Sequence, residues 1–536
     1  MADKFEWSKF YPQGLGRAVG IPPKPLWWLL ENAARRHEKR PALYYKELTI
    51  SYERLWKHAL SASAHMRFKG YGAAKYQERV LIWLPNCPEF ITHYYGALRA
   101  GLIVTTPSPH LTTEEITKII ADTDPSIAVF DVQRVLDFDS AVQAAGTREP
   151  KTQYIEPGQE YRPGAGDSGL LQALIEPPPP PKTRPEVDVA VLQYTSGTTG
   201  GLKAAMMSHR NLIVNALQNC NWFSWTENDV ILGALPLCHT WGMCCVMNSA
   251  FAVGASIVLL EQFKPDEVLA AIVKHKVTVV YGSGTMFNRL LDAAGADAAK
   301  IFASVRYVKA GAMLIGSDLP QRWAKACPKI PMINGYGLTE ASPEVCNNPP
   351  QRAKAGTVGI PLPGTEVRLC KADEPGVEVG VGEEGEVQVR GPQVMLGYWS
   401  QPDATKEVML DGGWLRTGDV GVFDDEGYLK IVDRLKDLIK FRGYSVYPSE
   451  IETVLLTHPA IAECAVVGKP DKVDGEVPVA YVVLKHGAPP DIADLPKFVA
   501  PHLAAFKHPR RYHLVHEIPK NHVGKPLKRM LRELPE

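Results

Sequence analysis

Tyr194-Thr195-Ser196-Gly197-Thr198-Thr199-Gly200-Gly201-Leu202-Lys203 joins hydroxyl side chains, glycines and one lysine directly after the apolar, strand-like run Val187 to Leu192. Hydroxyls and unobstructed backbone N–H groups suit phosphate oxygens, and Lys203 adds a mobile positive charge. The spacing differs from a Walker A loop, in which a Gly-Lys pair is followed by Ser or Thr. Here Leu202 precedes the lysine and Ala204 follows it. Taken alone, such a segment reads equally well as a surface turn. Its meaning depends on what else the chain carries.

Four further segments follow in order: Asn334-Gly335-Tyr336-Gly337-Leu338-Thr339-Glu340, Gly413-Trp414-Leu415-Arg416-Thr417-Gly418-Asp419, Asp433-Arg434-Leu435-Lys436-Asp437 and Pro519-Lys520-Asn521-His522-Val523-Gly524-Lys525. With the first, they resemble the adenylate-forming superfamily of acyl-CoA synthetases, beetle luciferases and peptide-synthetase adenylation domains. The resemblance spans roughly Leu26 to Leu531. Phe10-Tyr11-Pro12 and Leu84-Pro85-Asn86-Cys87-Pro88-Glu89-Phe90 look most like the medium- and long-chain fatty acid ligases of that superfamily.

Composition sets outer bounds. A chain of 536 residues exceeds one ordinary core, so at least two domains are expected. Lys plus Arg and Asp plus Glu are equal at 59 each, so no overall field recruits nucleic acid or an anionic membrane. The nine cysteines form no C-x-x-C pair and no framework spacing, which speaks against a zinc site and for a reducing compartment. The most apolar windows, such as Val246 to Leu260, are interrupted by Asn248, Ser249, Gly254 and Ser256, and no stable membrane insertion is expected. Met1-Ala2-Asp3-Lys4-Phe5-Glu6 lacks the apolar stretch of a signal peptide, so the expected location is cytoplasmic. Monomer and homodimer both remain open.

Short β-branched runs alternate with amphipathic segments through most of the chain. Val80 to Leu84, Ile127 to Phe130, Val277 to Tyr281 and Ser304 to Lys309 read as buried strands. Leu26 to Arg35, Pro88 to Arg99 and Thr113 to Ala121 read as helices. The alternation predicts an α/β fold with largely parallel sheets. From Gly385 the texture changes to Glu386 to Arg390, Val420 to Phe423 and Tyr428 to Ile431, with a hairpin turn at Asp424-Asp425-Glu426-Gly427, hence a small β-rich subdomain. The prolines Pro177 to Pro181 make an extended spacer before the phosphate-binding segment. The resemblance completes the picture: two α/β sheet subdomains and the β-rich subdomain over residues 1–433, then a small mobile α+β domain over 434–536.

The resemblance also implies a chemistry. A carboxylate attacks the α-phosphorus of ATP, giving an acyl-adenylate and pyrophosphate, and the thiol of coenzyme A then displaces AMP. Thr195, Ser196, Gly197, Thr198, Thr199, Gly200 and Lys203 are expected to hold the β- and γ-phosphates. Where the family has Pro-Lys-Gly, this chain has Leu202-Lys203-Ala204, so loop geometry is expected to differ. Glu340 is expected to ligate Mg²⁺, with Thr339 on the α-phosphate; read without the family, the two would cap a helix after Gly335-Tyr336-Gly337. Tyr336 is expected to stack on adenine opposite Gly311-Ala312, with Asp419 and Arg434 on the ribose. His239 would gate the acid side, and Lys525 would stabilise charge during adenylation. Lys436 matches the hinge about which the small domain turns, bringing Gly443 and Tyr444 to the pantetheine.

For the acid, Trp241, Gly242, Met243, Ser283, Gly284, Met286, Gly311, Gly335, Gly337 and Leu338 are the expected lining. Gly335 and Gly337 leave the floor open, and no Arg or Lys stands ready for a second carboxylate. An apolar acid larger than acetate follows, a medium- or long-chain fatty acid first. An aryl or cyclic acid and a carrier-protein acceptor are the alternatives.

Overall fold

The computed structural model describes residues 5–68, 78–159, 178–196, 202–311, 318–442, 444–471, 473–485, 487, 492–520 and 526–534. Alternation of strand and helix produces two sheets, as the periodicity predicts. One has six strands in the order Lys151–Ile155, Ile127–Asp131, Arg79–Trp83, Ile103–Thr105, Val189–Ser196, Leu202–Ser208. All neighbours are parallel except the final pair. The other has nine strands, whose central run is Met332–Gly337, Tyr307–Gly311, Val279–Ser283, Val230–Gly233, Ser256–Leu259 and Pro41–Tyr45, all parallel. Antiparallel strands Glu344–Asn347 and Ile360–Pro361 close one edge and Leu48–Ser51 the other.

The expected helices are present and their ends have local causes. Pro88–Ala100 begins with proline where no N–H partner is needed and ends at Gly101, whose φ of 86° is left-handed. Thr113–Thr123 starts with a reciprocal capping box between Thr112 and Glu115. Two strands near the site run further than their composition suggests. Val277 to Tyr281 is observed as Val279–Ser283, and Ser304 to Lys309 as Tyr307–Gly311. Both end in Gly or Ser, residues depleted in strands, yet Gly282 pairs with Ala310 and Ser283 with Gly311. The sheet thus carries its small residues to its rim.

The β-rich part is an antiparallel sheet of Glu366–Cys370, Gly385–Arg390, Trp414–Phe423 and Met409–Leu410, with Leu429–Arg434 beside Trp414–Phe423. One hydrophobic core joins it to both large sheets: Val387 and Leu415, Ile82 and Val104, and Leu43 and Ile231 belong to the same cluster. The last sheet, from Ile439–Phe441 to Arg511–Leu514, has a separate core around Val466, Val479 and Val482. Residues 178–183 are neither helix nor strand, in keeping with the expected spacer; Pro177 lies outside the described residues. Among the described residues no helix is long and apolar enough to cross a membrane. All nine cysteines are free.

Candidate active site

The opening stretch folds as a hairpin. Val189–Ser196 and Leu202–Ser208 pair antiparallel, with Thr195 opposite Lys203 and Ser196 opposite Leu202. Gly197, Thr198, Thr199, Gly200 and Gly201 lie outside the described residues. Thr195 Oγ1 donates to the Lys203 carbonyl at 3.3 Å. The departure Leu202-Lys203-Ala204 has a packing reason: Ala204 is fully buried against Ile103 and Leu192. A second strand therefore begins where only a loop was expected.

The hairpin is knitted to Glu340 by a segment that sequence reasoning missed. Leu396 N donates to Met206 O, Trp399 N to Ala204 O, and Met395 N to Glu340 O at 2.8 Å. Between them sits buried Tyr398, its ring 5.2 Å below the Lys203 ammonium. Its hydroxyl donates to Glu340 Oε1 at 2.8 Å. Burial, with the Glu340 carboxylate adding to it, pushes the Tyr398 phenol above its ordinary value, so it stays the donor. Lys203 and Glu340, 137 positions apart by number, thus share one aromatic platform. The available signal was Gly397-Tyr398-Trp399, an aromatic pair behind a glycine.

Thr339 and Glu340 do not cap a helix. They form one 3-10 turn, Thr339–Ala341, that Ser342 ends with a φ of 68°. Thr240 Oγ1 lies 3.5 Å from Thr339 Oγ1, which joins this turn to the His239 segment. Next to it stands a second constellation. Asp419 is opposite Arg434 in register, and Arg434 Nε lies 3.0 Å from Asp419 Oδ1. Tyr336 donates its hydroxyl to Asp419 Oδ2 at 2.6 Å. The Asp419 carboxylate beside it holds the Arg434 guanidinium above its ordinary range. Tyr336 and Asp419, read separately in the sequence, are one hydrogen-bonded unit. Each Asp419 oxygen keeps a lone pair for a further donor.

A cavity of ≈ 310 Å³ is lined by the His239 segment, which Thr240 joins to the Thr339 turn. His239, Trp241, Gly242, Ser283 and Met286 line it as expected, together with Pro236, Cys238 and Phe263. His239 Nδ1 accepts from Trp241 N at 3.3 Å. Met243, Gly337 and Leu338 are not part of the lining, and Met243 is fully buried. Nor are Gly284, Gly311 and Gly335.

Two expectations are corrected here. The floor at Gly335 and Gly337 is not open: a Cβ on Gly335 would lie 2.1 Å from Asn347 Oδ1, and one on Gly337 2.2 Å from Pro343 O. These glycines let the antiparallel edge approach the strand; they do not leave room for a ligand. Gly311 is likewise covered, since a Cβ there would meet the Trp241 ring at 3.2 Å. And an arginine does stand at the cavity: Arg289 is among its lining residues, its guanidinium 5.4 Å from the Phe263 ring.

Of the remaining predicted residues, Ala312, Gly443 and Lys525 lie outside the described residues, as does the side chain of Ser196. Lys436 sits in the turn Leu435–Asp437, where Arg532 holds Asp437 at 2.6 Å. Tyr444 is exposed and stacks on Phe506 with centroids 4.8 Å apart.

Comparison with known proteins adds the following. Residues 30–399 match the family model described as AMP-binding enzyme, and 450–525 the model of the AMP-binding enzyme C-terminal domain. A long-chain-fatty-acid–CoA ligase of Bacillus subtilis is 33% identical, over 99% of this chain and 98% of that protein. The crystal structure of ATP-bound MatB from Rhodopseudomonas palustris superposes with a TM-score of 0.85 at 30% identity, covering 95% of this chain and 98% of that one. An anthranilate CoA ligase in complex with anthranoyl-AMP gives 0.84 at 25% identity, covering 96% and 97%.

Proposed function

We propose that this chain, which belongs to the AMP-binding enzyme family of AMP-forming acyl-CoA synthetases, activates an apolar carboxylic acid with ATP and passes the acyl group to coenzyme A. The observation that carries this reading is the meeting of Lys203, Tyr398 and Glu340 beside the Tyr336–Asp419–Arg434 unit. A cation, a carboxylate and a ribose-competent carboxylate, tied through Thr339 and Thr240 to the segment that lines the cavity, suit a nucleoside triphosphate facing an acid. The ligands of two similar structures, ATP and anthranoyl-AMP, point the same way.

The chemistry follows from charge. A carboxylate is a poor electrophile until its oxygen is made a leaving group, and attack at the α-phosphorus concentrates negative charge. Lys203 and Thr195 would meet the β- and γ-phosphates, and Thr339 the α-phosphate. The donors fit Mg²⁺: Tyr398 holds Glu340 Oε1, the carboxylate has further lone pairs for a hard cation, and such a cation completes its shell with phosphate oxygens and water. When bound, Mg²⁺ would neutralise charge on the departing pyrophosphate. Asp419 would accept from the ribose hydroxyls while Tyr336 and Arg434 fix its orientation. Lys525 would reach the α-phosphate side during adenylation only. The boundary near residue 433 and a turn about Lys436 would then exchange that lysine for the Tyr444 face.

The acid class is read from the cavity: apolar walls at Trp241, Met286 and Phe263 suit a fatty acid larger than acetate, while Arg289 in the same lining, its guanidinium 5.4 Å from the Phe263 ring, adds one cation to an otherwise apolar wall. An aryl acid is the second reading, favoured by the indole of Trp241 at the wall and by the anthranilate ligase likeness. Pyrophosphate release across acetate, hexanoate, benzoate and hexadecanoate, with and without coenzyme A, tests the proposal. Acid-dependent release with a thioester product supports it; release indifferent to the acid, or best with acetate, overturns it.

A further inference from the structure

Lys309 and Glu344 form an ion pair that the reaction above does not use, with side chains only 3% and 5% exposed. They stand on Tyr307–Gly311 and Glu344–Asn347, the two strands flanking Met332–Gly337. The contact therefore crosses the middle strand, and it does so at Gly335: a Cβ there would meet Lys309 Cε at 3.2 Å as well as Asn347 Oδ1. Glu344 Oε2 accepts from Asn347 Nδ2 at 2.8 Å. Asn215 clamps the Glu344 backbone, accepting from its N–H at 3.0 Å and donating to its carbonyl at 2.9 Å. The Lys309 ammonium lies 5.4 Å from the ring centroids of both Phe223 and Tyr281.

Such a pair contributes little to stability, because desolvating both ions offsets their attraction and apolar replacements are often as stable. Its placement says more. Lys309 and Gly311 alternate onto the same face of their strand. Trp241, a cavity wall, covers Gly311 and meets Tyr281 edge-on with centroids 5.9 Å apart. Tyr281 in turn is in register with Lys309. Tyr281 thus stands between the tryptophan wall and the Lys309–Glu344 pair, which takes the space that Gly335 leaves along the strands.

We propose that the Lys309–Glu344 pair is specificity-determining: standing behind Trp241 and Tyr281, it closes the acid cavity against long apolar tails and confines the enzyme to acids of medium length or a single ring. This rests on the reading of the cavity as the acid pocket. A tail pressing past Trp241 would have to displace an ion pair while offering it no hydrogen bond, so discrimination grows with chain length.

The test is the dissociation constant of two non-reactive acyl-adenylate mimics, hexanoyl- and hexadecanoyl-sulfamoyl adenosine, measured by calorimetry. The wild-type protein should bind the hexanoyl mimic at least about tenfold more tightly, the scale set by misfit in an apolar pocket. Lys309→Leu/Glu344→Ala, which removes both charges and part of the bulk, should equalise or reverse that order. Wild-type protein binding the hexadecanoyl mimic as tightly overturns the proposal, whatever the variant does. So does a variant that keeps the wild-type thermal midpoint and the wild-type preference. If neither mimic binds the wild type, and no acid elicits pyrophosphate, the ligase reading itself fails.

Discussion

At the scale of the residue, one tyrosine joins an ammonium and a carboxylate far apart in the sequence. Tyr398 does this by offering its hydroxyl to Glu340 and its ring to Lys203. Tyr398→Phe keeps the ring and removes the hydroxyl. It should raise the Mg²⁺ concentration needed for half-maximal adenylation about fivefold, the scale of one net hydrogen bond, and leave the KM for the acid unchanged. Mn²⁺ retention in the presence of ATP, followed by electron paramagnetic resonance, checks it independently of turnover. Glu340→Gln should cost more, about two to three orders of magnitude in kcat/KM for ATP, as for loss of one preorganised electrostatic contact; unchanged ATP use would show the cation held otherwise. Gly335→Ala belongs to packing: its Cβ would collide with Asn347, so it should lower the thermal midpoint and harm both half-reactions alike. A variant that kept its thermal midpoint and merely shortened the acids accepted would restore the open floor that the sequence suggested. Lys203, Tyr336, Glu340 and Asp419 stood out in the sequence through the family resemblance of the segments that carry them; without it Glu340 reads as a helix cap. Tyr398, Lys309 and Glu344 did not stand out, because their meaning lies in partners 58 and 35 positions away.

At the scale of the element, the helix His209–Trp222 shows how the fold ties a distant segment to the core. Ser208 and Asn211 form its capping box, and His209 accepts from Leu26 N through Nδ1 at 3.0 Å. Burial pushes the His209 imidazole down to about 4, against a smaller opposing effect of Asp188. Below its ordinary value near 6.5 the unfolded chain binds this proton and the folded chain does not, so stability falls as pH drops from about 6.5 to about 4. One such group contributes about 3 kcal/mol at neutral pH, lost progressively as the pH falls to about 4. Thermal midpoints from pH 7 to 4.5 should therefore fall less steeply in His209→Gln than in the wild type; parallel curves would assign the acid loss elsewhere. Strand ends were the least legible elements. Val279–Ser283 and Tyr307–Gly311 run into glycine and serine because neighbouring strands supply the pairing that propensity withholds. The hairpin strand Leu202–Ser208 was hidden for the same reason, behind a Gly-rich turn.

At the scale of the whole molecule, three sheets share one core and the last sheet keeps its own, a division that would permit the proposed domain rotation between half-reactions. Lys436→Pro, which restricts φ at the proposed hinge, should form adenylate yet transfer it poorly. Lys525→Ala should do the reverse, losing adenylation by about two to three orders of magnitude while converting supplied acyl-adenylate and coenzyme A to thioester. Equal damage to both half-reactions in both variants would contradict two conformations. The central claim, that the acid's own oxygen attacks the α-phosphorus, has a direct test. Hexanoate labelled with heavy oxygen in its carboxylate is turned over with ATP and coenzyme A, and the products are weighed by mass spectrometry. The account predicts AMP carrying one heavy oxygen from the acid, unlabelled pyrophosphate, and a thioester keeping the other. Unlabelled AMP, or release of ADP with labelled phosphate, would contradict it.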